Sequence, residues 1–268
     1  MNELKEKQYN DSTKFNARVL IHSKYGTNKT PWPIWLFSQY QIPDHSQIIE
    51  FGCGNGLIWK VNSFRINPTW KITLSDFSKG MLETTKESIS SNNNNNITYE
   101  IIDLNNYGVE PEKFDRVIAN HMLYHIENRD KAIEKIHTLL TPNGILYCST
   151  IGQNNMKEMK ELINEFTGND YYSQALGNIS DRFSLENGIE QLGKHFGKVE
   201  KIEYEDSLEI TDPVDLVNYI ISCNDLNPGI QVLPEEQKNE FKKFLDQKIK
   251  KSGRIHISKS SGTFVVKK

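Results

Sequence analysis

Long apolar runs are missing from this 268-residue chain. No stretch approaches the roughly 18 apolar residues that cross a bilayer, and the opening Met1-Asn2-Glu3-Leu4-Lys5-Glu6-Lys7 has no apolar centre of the kind a secretory leader needs. Cysteine is scarce. Cys53, Cys148 and Cys223 are far apart, odd in number and form no C-x-x-C pair, which excludes a disulfide framework and fits a reducing compartment. There is no excess of charge of either sign: 32 Lys and Arg face 35 Asp and Glu, a net charge of −3, so the chain has no general attraction for nucleic acid or for anionic membranes. What it does have is an ordinary globular composition, 37% hydrophobic and 10% aromatic, sufficient for a proper buried core. The expectation is a soluble, cytoplasmic protein.

The order of elements is informative. Residues 1–30 are polar and mixed, with helical character over Thr13–Ser23, and Pro31-Trp32-Pro33-Ile34-Trp35-Leu36-Phe37 opens a short buried helix after two prolines. Gln47–Phe51 reads as an apolar strand running into Gly52-Cys53-Gly54-Asn55-Gly56 and then a helix. Further strands follow at Lys71–Asp76, Thr98–Ile102, Phe114–Ala119 and Ile145–Ser149, separated by helices over Lys79–Ser88 and 130–140. The Ser/Asn run from Ser90 to Asn96 reads as a solvated loop. Strand and helix in alternation argue for a parallel sheet covered on both faces. Beyond residue 151 helices dominate (Met156–Phe166, Ser184–Phe196, Pro213–Ser222, Pro234–Lys251), with strands at Lys198–Tyr204 and Thr263–Val266. The whole reads as a single domain over 1–268. Its core lies at about 46–151, 183–210 and 259–268, and lid-like insertions lie at about 1–40, 153–182 and 211–252.

In an open α/β sheet, ligands sit beyond the carboxyl ends of the strands. Those ends here supply Glu50 with the glycine turn, Asp76, Asp103, and Asn120-His121. Glycines at 52, 54 and 56 let backbone approach a ligand without an intervening Cβ. The spacing is G-x-G-x-G: the dinucleotide fingerprint is broken by Leu57, and no Gly-Lys-Ser/Thr phosphate loop is present. The turn therefore suits a nucleoside that lacks a pyrophosphate. Asp76, twenty residues past Gly56, is placed to accept from both ribose hydroxyls. The competing role for Asp76 is capping the next helix, a job Ser78 is able to share.

These segments resemble the motifs of class I S-adenosylmethionine-dependent methyltransferases. Ile49-Glu50-Phe51-Gly52-Cys53-Gly54-Asn55-Gly56 is similar to their first motif and Leu74-Ser75-Asp76-Phe77-Ser78-Lys79-Gly80-Met81-Leu82 to their second. Ile102-Asp103-Leu104 resembles the third, Phe114–Asn120 the fourth, and Leu140–Leu146 the turn into strand 5. The resemblance covers residues 47–150. It implies a Rossmann-like, doubly wound, seven-stranded sheet in which Thr263–Val266 is the one antiparallel strand. It also implies S-adenosyl-L-methionine as cofactor, S-adenosyl-L-homocysteine as product, and a cofactor site built from Glu50, Gly52, Cys53, Gly54, Asp76, Phe77, Met81, Asp103, Leu104, Asn120 and His121. Asn120-His121 replaces the Asp/Asn-Pro-Pro-aromatic motif of enzymes that methylate amino groups of nucleic acids and glutamine, which lowers those readings. Residues 18–37 resemble an N-terminal helix and loop of some small-molecule methyltransferases, a likeness that gives Arg18 the cofactor carboxylate as partner.

His121 and His125 stand four apart, and either is a candidate base because histidine titrates near neutral pH. With no Glu after the first His and no third ligand evident, no metal is expected. Tyr171, Tyr172, Phe183, Tyr219 and Trp35 are candidate pocket walls, against ordinary core packing. The expected activity is methyl transfer to an O or N atom of a small-molecule acceptor, without nucleic acid or membrane as partner. An RNA or protein methyltransferase and a catalytically silent S-adenosylmethionine-binding protein are the alternatives. The oligomeric state is left open.

Overall fold

The computed structural model describes residues 12–89, 96–106, 108, 113–177, 179–224 and 226–268. Their strands are β1 (Gln47–Phe51), β2 (Lys71–Asp76), β3 (Ile97–Ile101), β4 (Phe114–Ile118), β5 (Leu140–Ile151), β6 (Lys198–Tyr204), β7 (Ser207–Ile210), β8 (Ile255–Ser258) and β9 (Ser261–Lys267). The helices are α1 (Ser12–Tyr25), α2 (Trp32–Ser38), α3 (Leu57–Val61), α4 (Lys79–Ile89), α5 (Arg129–Leu139), α6 (Lys157–Thr167), α7 (Tyr171–Leu176), α8 (Ile179–Arg182), α9 (Gly188–Gly193), α10 (Pro213–Ser222) and α11 (Lys238–Ser252). Of the serine-asparagine run read as a loop, all but Asn96 lies outside the described residues.

Seven strands form one sheet in the order β3-β2-β1-β4-β5-β9-β6. Pairings among β3, β2, β1, β4 and β5 are parallel, and β9 runs antiparallel to both β5 and β6. This is the doubly wound, mostly parallel α/β sheet with one antiparallel strand. Strand order reverses at β1, which has β2 on one side and β4 on the other, so the crevice lies at the carboxyl ends of those strands. Ile48, Ile49, Phe51, Val117 and Ile118 are almost wholly buried, as expected of strands covered on both faces.

The chain separates into two compact units: one of residues 30–153, 180–204 and 261–268, the other of the chain up to Lys29 with 154–179 and 205–260. The first holds the seven-stranded sheet and a core of Phe37, Trp59, Trp70, Leu74, Tyr147 and their neighbours. The second has its own core, with Ile21, Met159, Ile163, Leu216, Ile220, Phe241 and Leu245 among its members. Two expected boundaries move. Residues 30–40 belong to the sheet unit and not to an insertion, because α2 packs on α3: Asn62 Nδ2 donates to the Pro33 carbonyl at 3.0 Å, and the Phe37 and Trp59 rings meet at 5.9 Å. Residues 205–210, expected in the core, belong to the second unit because β7 pairs antiparallel with β8 in a separate two-stranded sheet.

Several element boundaries differ from the sequence reading for local reasons. β5 starts at Leu140, not Ile145: Phe114 pairs with Leu140 and Arg116 with Ile145, so Thr141–Gly144 bulge from the ladder. The helix expected over Ser184–Phe196 shortens to Gly188–Gly193, since Asn187 Oδ1 accepts the Ser184 N–H at 2.9 Å and folds the start into a turn. Pro234 leads into a 3-10 turn over Glu235–Gln237, and the regular helix starts only at Lys238.

Candidate active site

The carboxyl ends of β1, β2 and β4 bring Glu50, Asp76 and Asn120 together through backbone and side-chain hydrogen bonds. The glycine turn after β1 is held from two sides. Cys53 N–H donates to the Ser75 carbonyl at 2.9 Å, and Gly54 N–H donates to Asp76 Oδ2 at 2.9 Å. Gly54 has φ +58°, and a Cβ added there would meet no heavy atom within 4 Å. Bare backbone therefore faces open space. Gly56, at φ +71°, is glycine for a second reason: a Cβ would lie 2.8 Å from Thr85 Cγ2.

Asp76 is buried, and its other oxygen, Oδ1, accepts the Ser78 N–H at 2.9 Å. Burial pushes its carboxyl up from the ordinary value, against the pull of the Ser78, Gly54 and Phe77 N–H groups. The capping bond itself comes from Ser78, whose Oγ accepts from Met81 N–H at 3.4 Å. Asp76 thus staples the glycine turn to β2, a task the sequence did not announce. With the Gly54, Ser78 and Phe77 N–H groups on it, the carboxylate still has acceptor capacity for a further donor.

Glu50 is 2% exposed. Its Oε2 accepts from Trp59 Nε1, and its Oε1 accepts from Asn120 Nδ2 at 2.9 Å. Burial raises its carboxyl to about 7, with nearby Asp76 adding to the rise and the two hydrogen bonds opposing it. Asn120 Nδ2 also donates to the Tyr40 hydroxyl at 2.8 Å, while Asn120 Oδ1 is buried without a partner among the described residues. A buried amide oxygen left in this state is costly, which marks a place where a bound donor belongs.

The other sequence candidates are distributed around this cluster. Cys53 is half-buried with its thiol pushed well up by burial, and so is no nucleophile. Phe77 is exposed, Met81 half-buried and Leu104 buried. Asp103 is exposed and accepts from Asn105 N–H at 3.0 Å and from the Asn105 and Asn106 amides, an Asx turn. Arg18 belongs to the second unit, where its Nη1 donates to the Ser222 carbonyl at 2.7 Å. His121 and His125 do not share a helix. His121 has φ +49°, its N–H extends the sheet by donating to the Ser149 carbonyl at 3.0 Å, and only a 3-10 turn over Leu123–His125 follows. His121 is half-buried and its ring lies 5.4 Å from Trp32; His125 is exposed, with its ring 4.6 Å from Tyr124.

Tyr172, Phe183 and Tyr219 are not pocket walls but core, buried to 2%, 0% and 6% exposure. The Tyr172 and Tyr219 hydroxyls meet at 3.3 Å, and Phe183 packs on Phe264. Tyr40 and Trp59 were missed, and Trp32 was read only as part of the 18–37 segment, not as a neighbour of His121. Only Trp59 carried a signal: a buried indole on the helix after the glycine turn needs an acceptor for its N–H, and Glu50 is the buried acid nearby.

A family profile described as a methyltransferase domain matches residues 42–248. Among curated relatives, malonyl-[acyl-carrier protein] O-methyltransferase 1 of Ilyobacter polytropus is 29% identical over 140 residues, covering 52% of this chain and 51% of the relative. The enzyme of the same name from Bacillus cereus is 25% identical over 150 residues, covering 54% of each. The matched region thus spans about half the length of these curated relatives. Among solved structures, phosphoethanolamine N-methyltransferase 2 of Haemonchus contortus in complex with S-adenosyl-L-methionine aligns with a TM-score of 0.58 at 17% identity, over 97% of this chain and 58% of that one. The YcgJ protein of Bacillus subtilis aligns with a TM-score of 0.58 at 12% identity, over 87% and 96%. At such identities the likeness is one of fold.

Proposed function

We propose, for a chain that belongs to the class I S-adenosylmethionine-dependent methyltransferase domain family, that the methyl acceptor is a small molecule and that the β1–β2–β4 edge holds the cofactor. Methyl transfer from S-adenosylmethionine is the activity that membership of the family supports; the acceptor and the residue roles are our reading. The observation that carries the cofactor site is the conjunction of the open backbone at Gly54 with the unpartnered, buried Asn120 Oδ1.

The residues suit the group. Asp76 accepts ribose hydroxyls on its remaining lone pairs, and the Gly52–Gly54 backbone allows close approach of the methionine part. Asn120 Oδ1 accepts from its ammonium beside Glu50, whose ionised form that positive charge favours. Phe77, Met81 and Leu104 flank the adenine, and Asp103 reaches its amino group. When bound, the cofactor supplies an electrophilic methyl group on a sulfonium. The protein's part is to align the acceptor and keep water away.

The small-molecule reading is supported by the aromatic character of the neighbouring strand end, where Trp32, Trp35, Tyr204 and His121 stand within 5.4 Å of one another in successive pairs. A small acceptor enclosed by largely apolar side chains suits such a lining. The balanced net charge of −3 points away from a phosphate backbone as partner. A second reading, an acyl group presented on a carrier protein, is favoured by the names of the curated relatives. The test is methyl transfer from labelled S-adenosylmethionine into a cell extract, fractionated by size. Label in the small-metabolite fraction is expected. Label in RNA, with binding to bulk tRNA that weakens steeply with salt, would refute the small-molecule reading, and label on a small acidic protein would favour the carrier.

A further inference from the structure

We infer that His121 takes a proton from the acceptor, that Trp32 is the residue that positions it, and that the acceptor group is therefore protic, an alcohol or a protonated amine and not a carboxylate. The inference rests on the reading above that the acceptor meets the methyl group at the end of β4.

Three observations converge. The first is backbone conformation. His121 lies in the left-handed region at φ +49°, held there by its N–H bond to the Ser149 carbonyl of β5. A residue with a Cβ adopts that conformation at a cost, and such strain concentrates where a side chain must be aimed. The second is the row of rings. Trp35 stacks on Trp32 at 5.3 Å and 25°, and Trp32 in turn meets His121 at 5.4 Å and 50°. Tyr204 backs both tryptophans at 5.2 and 5.0 Å and is itself anchored through its hydroxyl to the Thr30 carbonyl at 2.7 Å. The imidazole thus lies between the braced tryptophans and Tyr124, whose ring is 6.4 Å away, while the exposed His125 stands one ring further along, 4.6 Å beyond Tyr124.

The third is the polarity of that row. The buried tryptophans Trp59 and Trp70 satisfy their indole N–H groups on Glu50 and on the Pro43 carbonyl. Trp32 and Trp35 are only half-buried, and among the described residues no acceptor meets their N–H groups and no lysine or arginine stacks on their rings. They are partly exposed and supply no positive charge. Next to His121 in sequence, Asn120 is bonded to the Glu50 carboxyl. A carboxylate acceptor entering here would lose its hydration beside an acid and aromatic faces, with the sulfonium as the one positive charge the reaction itself brings. A neutral imidazole there has a ring nitrogen able to take the proton of a protic acceptor. The step balances. The acceptor's O–H or N–H proton passes to a ring nitrogen of His121, and the freed lone pair forms the bond to the methyl carbon. The carbon–sulfur bond breaks with its electron pair kept by sulfur, and the imidazolium releases its proton to solvent.

The test uses the full chain loaded with S-adenosylhomocysteine and three probes on one skeleton: 3-phenylpropan-1-amine, 3-phenylpropan-1-ol and 3-phenylpropanoate. Calorimetry should show the amine or the alcohol binding at least about tenfold more tightly than the carboxylate. With labelled S-adenosylmethionine, methyl should enter that probe alone. His121→Asn, which tolerates the left-handed backbone, should slow the transfer by about 100-fold or more. Trp32→Ala should lower kcat about tenfold with KM changed less than about twofold, and Trp32→Phe should restore most of the rate. Preference for the carboxylate, equal or absent binding of all three probes, or a wild-type rate in His121→Asn overturns the inference. Failure of the wild-type protein to bind S-adenosylhomocysteine would instead remove the cofactor reading beneath it.

Discussion

Replacing Glu50 by glutamine should abolish a specific dependence of stability on pH. The Glu50 carboxyl, ordinarily near 4.5, is raised to about 7 in the folded chain, chiefly by burial. Between those values the folded protein binds more protons at this site than the unfolded chain, so stability must fall as pH rises. The contribution is whole below about pH 4.5, drains away between about 4.5 and 7, and is flat above. A difference of that size corresponds to about 3 kcal/mol. Glutamine cannot ionise. Its single carbonyl oxygen accepts from only one of the Trp59 and Asn120 donors, so Glu50→Gln also carries a loss of about 1–3 kcal/mol that does not depend on pH. Urea unfolding of both proteins at several pH values from about 4.5 to 8 separates the two effects. The stability advantage of wild type should shrink steadily up to about pH 7 and then level off. Curves that stay parallel across the range would refute the assignment of a buried, neutral-range acid to Glu50.

Further expectations concern the turn, the ligand and the second unit. Gly54→Ala should lower stability by only about 1–2 kcal/mol, the cost of a left-handed alanine, yet weaken S-adenosylhomocysteine more than tenfold by calorimetry, because its methyl enters open space at the turn. Affinity for S-adenosylhomocysteine should rise as pH passes upward through about 7, since a bound ammonium favours ionised Glu50; a flat profile in the same titration would exclude that contact. Asp206 is buried against Lys259 and accepts the Thr27 and Asn28 N–H groups at 2.9 and 3.0 Å. Asp206→Ala should cost about 1–3 kcal/mol in denaturant unfolding, because the Thr27 and Asn28 N–H groups lose their acceptor. Burial pushes the Asp206 carboxyl up, but Lys259 and the Asn28 and Ser207 N–H groups hold it below its usual value. Its stabilisation is therefore present above the ordinary carboxylate value and is lost as pH falls from there through the lower folded-state value.

What the chain discloses in its sequence follows the range of the interaction. β1 and β2 were readable to the residue because β1 carries a short apolar run into the glycine turn and β2 alternates Ile72 and Leu74 with polar residues up to Asp76. α10 was readable because Asp212 caps it, accepting from Val214 N–H at 2.9 Å, with Pro213 at its first position. The β7–β8 pairing was not readable: its strands have four residues each and are separated by α10 and α11, so no local periodicity reports it. The same limit divides the site. Glu50, Asp76 and Asn120 could be found because strand ends point to one edge of a parallel sheet. Tyr40 on Asn120 and Trp32 on His121 are contacts between residues whose spacing has no signature. The division into two units was likewise hidden, because the second core gathers Ile21, Met159, Ile220 and Phe241 from three separate stretches of chain.

The central claim is that the β1–β2–β4 edge binds S-adenosylmethionine through Asp76 and the glycine turn. Calorimetric titration of S-adenosylhomocysteine into wild-type protein and into Asp76→Ala tests it most directly. Asp76 would meet two ribose hydroxyls, and a charge-assisted hydrogen bond contributes roughly 1.5–3 kcal/mol. The account predicts saturable binding at one site in wild type, undisturbed by NAD, and an affinity at least tenfold lower in the variant. Absence of binding to wild type, or an unchanged dissociation constant in Asp76→Ala, would contradict it.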